Sequence, residues 1–275
     1  AAAPRDDWWT TFRDPELDRL VADARMGNLD LGAMESRIRV ARAAARRAGS
    51  PAEPRLDASA GTSRSRGSEH SVSGAAGRFA NAGDPVDVFS SSLDASWEPD
   101  LFGRVRRGAE AAWADAAAIL EDRRAMEVAL VADVADAWFD AGTADAEAAI
   151  HRETIGLLEQ TLKLAKARVD AGIASELDLR RTEGELSAAR SRVPDVDRRR
   201  TIAENRLSLL SGRATGVHAT GRAPASFDVA AEIPVGLPAQ LLDRRPDIRA
   251  AERRLVATNA RAGQAIADFY PRVTI

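Results

Sequence analysis

The sequence predicts a mainly α-helical chain with a small β part, organised on one long helical hairpin. Three observations carry this. The first is a heptad seam through Ile155, Leu158, Leu162, Ala165 and Val169, in which apolar positions alternate three- and four-residue steps. The second is the same alternation further on, through Leu179, Thr182, Leu186, Ala189, Val193, Val196, Arg200, Ala203, Leu207 and Leu210. The third is a pair of segments, 54–66 and 86–98, whose apolar residues recur every second position, the period of a strand.

The hairpin comprises two arms, about 104–171 and 173–211, joined at Gly172. A glycine suits the left-handed position that closes a helix, and Ser175 or Ala174 restarts the chain with Glu176 and Asp178 in the next first turn. At 1.5 Å per residue the first arm is about 100 Å long, far beyond the usual three turns. Its upper part carries a looser stripe, Ile119, Met126, Leu130, Val134, Ala137 and Ala141, with alanines that allow close approach on a second face. Pro194 lies inside the second arm and is expected to kink it or break one hydrogen bond there; Gly212 ends that arm.

Ahead of the hairpin, residues 1–16 read as an irregular arm anchored by Trp8, Trp9 and Phe12. Asp14-Pro15-Glu16 is a helix start: N-cap, Pro at N1, acid in the first turn. Leu17, Leu20, Val21 and Ala24 form that helix's apolar stripe, and Gly27-Asn28 interrupts it. A second helix runs from about Leu29 to Arg47 with Leu31, Met34, Ile38 and Ala41 on one face. In the first strand segment Leu56, Ala58, Ala60 and Thr62 alternate with Arg55, Asp57, Ser59 and Gly61. In the second, Phe89, Ser91, Leu93, Ala95 and Trp97 alternate with Ser90, Ser92, Asp94, Ser96 and Glu98. A serine- and acid-rich face suits a barrel lumen, and a terminal tryptophan suits a membrane interface. The pattern alone fits a hairpin lying on a soluble core equally well. Residues 67–85, rich in Gly, Ser and Ala, read as an exposed loop. Asp100 is placed to cap the long helix after Pro99 ends the strand. Beyond Gly212 the chain is irregular; a short helix is expected at Leu237 to Asp243, another from Pro246 with Ile248, Leu255 and Ala262 inside, then a strand onset at Val273 to Ile275.

Residues 28–58 align without gaps to 245–275: Asp30 meets Asp247, Leu31 meets Ile248, Ala33 meets Ala250, Glu35 meets Glu252, Arg37 meets Arg254, and Pro54-Arg55-Leu56 meets Pro271-Arg272-Val273. The unit is helix, two strands and long hairpin, with a second copy just begun, so the sequence reads as a piece of a longer protein. The expected divisions are 1–53 (arm and first helices), 54–99 (strand pair and loop), 100–212 (long hairpin), 213–245 (linker region) and 246–275 (start of the second repeat).

With 275 residues, a net charge of −3 and a pI near 5.8, the composition offers no electrostatic case for nucleic acid. Arginine clusters such as Arg198, Arg199, Arg200 and Arg46, Arg47 read as solvated helix faces. There is no cysteine, which excludes disulfides and thiolate sites. No run of 18 apolar residues is present, a test that strands of a barrel do not enter. No leader is visible at Ala1, and a removed one would leave no trace. His70, His151 and His218 lack metal-ligand spacing, and no nucleophile or phosphate-loop motif is present. No enzyme activity, cofactor or metal is therefore expected.

The assembled motifs resemble the outer-membrane factor family, the TolC-like and OprM-like channels of efflux pumps. They are Trp9-x-x-Phe12-x-Asp14-Pro15-x-Leu17, Trp97-Glu98-Pro99-Asp100-Leu101-Phe102-Gly103-Arg104, Leu242-Asp243-Arg244-Arg245-Pro246-Asp247-Ile248 and Phe269-Tyr270-Pro271-Arg272. Pro99 stands where the family more often has an aliphatic residue. The resemblance implies a homotrimer whose protomers each carry two repeats and give four strands to a twelve-stranded transmembrane β-barrel in the outer membrane. The long helices would form a periplasmic α-barrel. It also implies a periplasmic adaptor protein as partner, an inner-membrane transporter indirectly, and outer-membrane lipid around the barrel. OprM-like members carry an acylated N-terminal Cys, a lipoprotein feature; none is present in these 275 residues, so that anchor is lost, lies upstream or never existed. The family's gate lies largely in the second repeat.

By the same resemblance the turn Arg168, Gly172, Ser175, Leu177 and Asp178 is the tip that docks the adaptor. Gly172 lets another backbone approach and Ser175 offers a small hydrogen-bonding group. Phe89, Leu93 and Trp97 are expected to face lipid, and Ser90, Ser92, Asp94 and Ser96 the lumen. The expected function is a passive conduit for drugs or other small molecules across periplasm and outer membrane. The competing reading is a soluble coiled-coil scaffold or adaptor with a minor β-hairpin.

Overall fold

A computed structural model describes residues 7–66, 85–214, 242 and 244–275. Its helices are α1 (Pro15–Gly27), α2 (Leu29–Gly49), α3 (Arg104–Asp170), α4 (Glu176–Leu210) and α5 (Pro246–Ala267), and its strands β1 (Arg55–Arg66) and β2 (Pro85–Ser96). The loop expected at 67–85 falls outside the described residues except for Pro85, and so do most of the linker region at 213–245 and the short helix expected at Leu237 to Asp243. The chain divides into two compact units, one within 1–38 and 118–251, the other within 39–117 and 252–275. Helices α2, α3 and α5 each contribute a segment to both.

In the first unit, residues 8–12 form a short 3-10 turn where an irregular arm was expected. Trp9 is buried from it, while Trp8 stays exposed and meets Phe12 edge-on at 6.1 Å. Asp14 then caps α1. Its Oδ1 accepts from the Glu16 and Leu17 amides at 2.9 and 3.3 Å, and its Oδ2 accepts from Trp138 Nε1 at 2.9 Å. One carboxylate thereby closes a helix start and satisfies the indole of a fully buried tryptophan on α3. Leu17, Leu20, Val21 and Ala24 are buried as their spacing predicts, against Leu130, Val134, Ala137 and Trp138 of α3 and Leu207 of α4.

At the α1–α2 junction Asn28 acts twice. Its Oδ1 accepts from the Asp30 and Leu31 amides at 3.0 and 3.1 Å, and its Nδ2 donates to the Leu210 carbonyl at 3.2 Å. Here Gly27 and Gly212 meet backbone to backbone: a Cβ on Gly27 would fall on the Ser211 carbonyl, and one on Gly212 on the Gly27 carbonyl. The first glycine was legible only as a helix interruption and the second only as a helix stop; together they are the contact that lets α1 reach the end of α4.

Helices α3 and α4 pack along the predicted seam. Leu186, Ala189, Val196, Ala203 and Leu207 are buried, and Val196 clusters with Ala144 and Ala148. Nearer the turn Ile155, Leu158, Leu162, Ala165 and Val169 are half-buried. Glu159–Arg190 at 2.6 Å and Arg206–Asp133 at 2.6 Å tie the two arms together along their length. Pro194 remains inside an unbroken α4.

In the second unit β1 and β2 pair antiparallel, with Leu56 opposite Ala95, Ala58 opposite Leu93 and Thr62 opposite Phe89. Pro99 follows the strand, and Asp100 caps α3 by accepting from the Val105 and Arg106 amides at 3.0 and 2.8 Å. Glu98 and Arg104 form a two-oxygen pair at 2.8 Å across that corner. Phe102 stacks on Tyr270 at 4.6 Å. The predicted strand onset is visible at its last residue: Ile275 exchanges both backbone hydrogen bonds with Trp97, at 2.9 and 3.0 Å.

One expectation is corrected. Helix α5 does not bury Ile248, Leu255 and Ala262. Its buried positions are Ala250, Ala257, Ala260 and Ala267, while Leu255 is 70% exposed and Ala262 is exposed. The repeat alignment carries the larger residues of α2 onto α5, but the face that α5 buries is the alanine one; beside it a Cβ on Gly263 would meet the Arg107 side chain, and one on Gly108 the Gln264 side chain, both at 3.2 Å. Its partner α2 buries Leu31, Met34, Ile38 and Ala45, with Ala41 half-buried.

Candidate functional site: the hairpin tip and the strand pair

Two features present exposed chemistry. The first is the turn between α3 and α4. Gly172 has φ +72°, and its amide donates to Val169 O while Ile173 N donates to Arg168 O, both at 2.9 Å. This is the double bond of a Schellman closure. Ser175 N-caps α4: its Oγ accepts from the Asp178 amide at 3.3 Å and donates to Asp178 Oδ2 at 2.8 Å. The fixed turn leaves Arg168, Gly172, Ser175, Leu177 and Asp178 all exposed, with Ile173 and Leu177 at 78% and 59%. Among the described residues, its two chain neighbours aside, nothing comes within 4 Å of a Cβ placed on Gly172. The arrangement is a rigid, small-residue knuckle flanked by two bare aliphatic side chains.

The second feature is the strand pair, exposed on both faces. The register places Leu56, Ala58, Ala60 and Thr62 on the face of Phe89, Leu93 and Ala95, the alternation that Trp97 continues. Ser90, Ser92, Asp94 and Ser96 lie on the other, with Asp57 and Ser59. There Ser59 and Ser92 hydroxyls meet at 2.8 Å, Ser92 donates to Asp94 at 2.9 Å, and Arg55 pairs with Asp57 at 2.7 Å.

Sequence reasoning missed one thing on this sheet: the faces exchange character at its far end. Val86 and Val88 lie on the serine face, and Arg64 with Asp87, 3.6 Å apart, on the apolar one. The apolar face therefore runs from Trp97 to Phe89, roughly 25 Å along the strand, and stops at an ion pair. The signal was in the sequence, where Val86-Asp87-Val88-Phe89 breaks the alternation by one step. At the near end Trp97 donates from Nε1 to the Ala52 carbonyl at 3.0 Å and stays 41% exposed. Among the described residues no helix is long and apolar enough to cross a membrane, and no group of His, Asp or Glu is placed to hold a metal ion.

A family model described as outer membrane efflux protein matches residues 20–213. This chain belongs to the outer membrane efflux protein family. It is similar to the probable efflux pump outer membrane protein SepC of Pseudomonas putida, 34% identical over 277 aligned residues that cover 98% of this chain and 55% of the relative. The pyoverdine export outer membrane protein OpmQ of Pseudomonas aeruginosa is also 34% identical, over 98% of this chain and 56% of OpmQ. Among solved structures it resembles the outer-membrane channel OprN (TM-score 0.82, 31% identity, 100% of this chain and 64% of OprN). It also resembles the open-state MtrE channel of Neisseria gonorrhoeae (TM-score 0.77, 30% identity, 94% of this chain and 56% of MtrE). The chain spans about half the length of the curated relatives it matches. The outer membrane efflux proteins are channel and transport proteins and not an enzyme family.

Proposed function

We propose that this chain supplies part of an outer-membrane channel subunit in a tripartite efflux or export system. Three copies assemble. Their strand pairs contribute to one transmembrane β-barrel, and their α3–α4 hairpins line a periplasmic tunnel. Small molecules cross passively, driven by an inner-membrane transporter, and the tip docks a periplasmic adaptor protein. The observation that carries this reading is the strand pair. It has one apolar face bounded by Trp97 and the Arg64–Asp87 pair, one serine- and acid-rich face, and no core of its own. With strands tilted about 35–45° the face would rise roughly 20 Å along the membrane normal, most of the ~25 Å apolar band of an outer-membrane barrel.

On this reading Phe89, Leu93 and Trp97 face lipid, and Ser90, Ser92, Asp94 and Ser96 face water inside the barrel. The knuckle at Arg168, Gly172, Ser175, Leu177 and Asp178 fits the adaptor's helices because a positive-φ glycine and a short serine keep it low. Relatives carry names for toluene efflux and pyoverdine export, so the tunnel is assigned small-molecule cargo of no single chemistry.

The experiment is reconstitution in planar lipid bilayers. Stepwise ion conductance from detergent-extracted protein is the expected result. A chain that stays in aqueous solution without detergent and never conducts would instead be a coiled-coil scaffold.

A further inference from the structure

Two stretches that the sequence singles out, around Trp9 and around Arg244 to Pro246, meet in one cleft of the first unit. Its volume is about 670 Å³, within the roughly 300–1,000 Å³ that small-molecule sites occupy. Helix α3 supplies Arg124, Val128 and Val131, which recur at steps of four and three residues and so share one face of that helix. The chain as a whole has a net charge of −3, yet the lining of this cleft holds four arginines and one glutamate. Its local field is opposite in sign to that of the molecule and draws anions.

The surplus of positive charge survives a tally of ion pairs. Arg25 and Arg123 share Glu127, at 3.0 and 3.1 Å, and Arg123 also reaches Glu35 at 3.5 Å. Arg124 and Arg249 both donate to one oxygen of the buried Glu121, at 2.7 and 3.2 Å. Arg244 has no acidic partner among the described residues. Five guanidiniums thus meet three carboxylates, and two positive charges are left over. Each guanidinium presents five N–H donors in a planar fork, and these pairs use only part of them. Like charges gathered round a cavity repel, and an anion in the cleft relieves that repulsion.

The remaining lining is apolar. Trp9 is buried, and the Arg25 guanidinium carbon stands 4.7 Å from its ring centre. Trp8 is placed differently. It meets Trp9 and Phe12 edge-on, at 6.2 and 6.1 Å, and stays 38% exposed. Val128, also in the lining, is 57% exposed. An indole and a valine left this open gain from being covered by an apolar body, and the volume suits one the size of a drug molecule.

We infer that this cleft binds a small organic anion, a carboxylate carried on a planar aromatic body. The carboxylate is taken by Arg244 together with the unused N–H groups of Arg124 and Arg249, because a planar guanidinium fork matches its two oxygens. The ring lies against Trp8 and Val128. An isolated phosphate would satisfy the arginines and leave the apolar wall bare; a neutral aromatic molecule would do the reverse. The inference stands on the first unit alone and does not rest on the conduit reading.

The test is calorimetric titration of the detergent-solubilised protein with naphthoate, its neutral analogue naphthamide and inorganic phosphate, with protein-free micelles as the blank. Saturable binding of naphthoate, at least about tenfold tighter than of either other probe, is the expected result. Arg244→Gln should weaken naphthoate about tenfold and leave naphthamide unchanged. Trp8→Ala should weaken both aromatic probes and leave phosphate unchanged. Both side chains are exposed, so melting followed by circular dichroism should match wild type in each variant, which separates a lost contact from a lost fold. A wild-type protein that shows no saturable naphthoate binding, or binding that Arg244→Gln does not change, would overturn the site. Phosphate binding as tight as that of naphthoate and indifferent to Trp8→Ala would overturn the aromatic class of the ligand. Protein that binds naphthoate yet never conducts keeps the cleft and loses the conduit reading instead.

Discussion

Asp14 concentrates the residue-scale energetics of the chain. A lost N-cap costs about 1 kcal/mol, and an unsatisfied buried donor a further 1–3 kcal/mol. Asp14→Ala removes the cap and strands the Trp138 indole N–H, so it should destabilise by roughly 2–4 kcal/mol, read as a lowered denaturation midpoint. Trp138→Phe in the Asp14→Ala background should recover part of that loss. The motif Asp14-Pro15 declared itself as a helix start in the sequence. Its partner 124 residues away did not, because a hydrogen bond between distant side chains leaves no period to read. Asp195 is a fully exposed case with a sign that can be worked out. The hydrogen bond from Arg198 holds its carboxyl below the ordinary value. A folded pKa below the unfolded one adds stability that is complete above the unfolded value of about 3.9 and is lost as pH falls through the folded one. Titration of the Asp195 carboxyl by NMR should therefore show a lower midpoint than in Arg198→Ala.

At the scale of elements, the turn and the helix junction each depend on glycine for a different reason. Gly172 holds a positive φ that a β-branched residue adopts only with strain. A bulky substitution at Gly172 or Ser175 should weaken adaptor pull-down while leaving trimers intact, as checked by native electrophoresis; undiminished adaptor capture would count against the docking role. Gly27 has an ordinary backbone, but its Cβ position is already occupied by the Ser211 carbonyl. Gly27→Val should thus separate α1 from the end of α4 and lower thermal stability by several degrees, while α3 and α4 keep their helical signal. The hairpin itself was legible to within a few residues, because a heptad repeat sustained over many turns is the strongest local signal a sequence carries. The buried face of α5 was not. The repeat predicts which residues are alike in α2 and α5, but which of them becomes buried depends on the helix that lies alongside.

For the whole molecule, the decisive surface is one that the isolated chain leaves bare. Both faces of the β1–β2 ladder are exposed, and the barrel assigned to them would place one against lipid. Leu93→Arg should cost about 2–4 kcal/mol of insertion near the bilayer midplane, measured as reduced recovery of protein in outer-membrane fractions. Ser92→Arg, on the opposite face, should insert normally and alter conductance and ion selectivity. Equal effects from the two substitutions would sink the assignment of faces.

The sequence by itself determined the elements: the hairpin seams, the helix starts at Asp14 and at Ala174 or Ser175, the strand alternation and the repeat. Each of these is written in nearest-neighbour chemistry, in caps, periods of two and of 3.6 residues, and backbone permissiveness. Only the tertiary structure decided the Gly27–Gly212 contact, the Asp14–Trp138 bond and the alanine face of α5. Those depend on where a second backbone passes, and the distance between two backbones is set by packing over the whole fold.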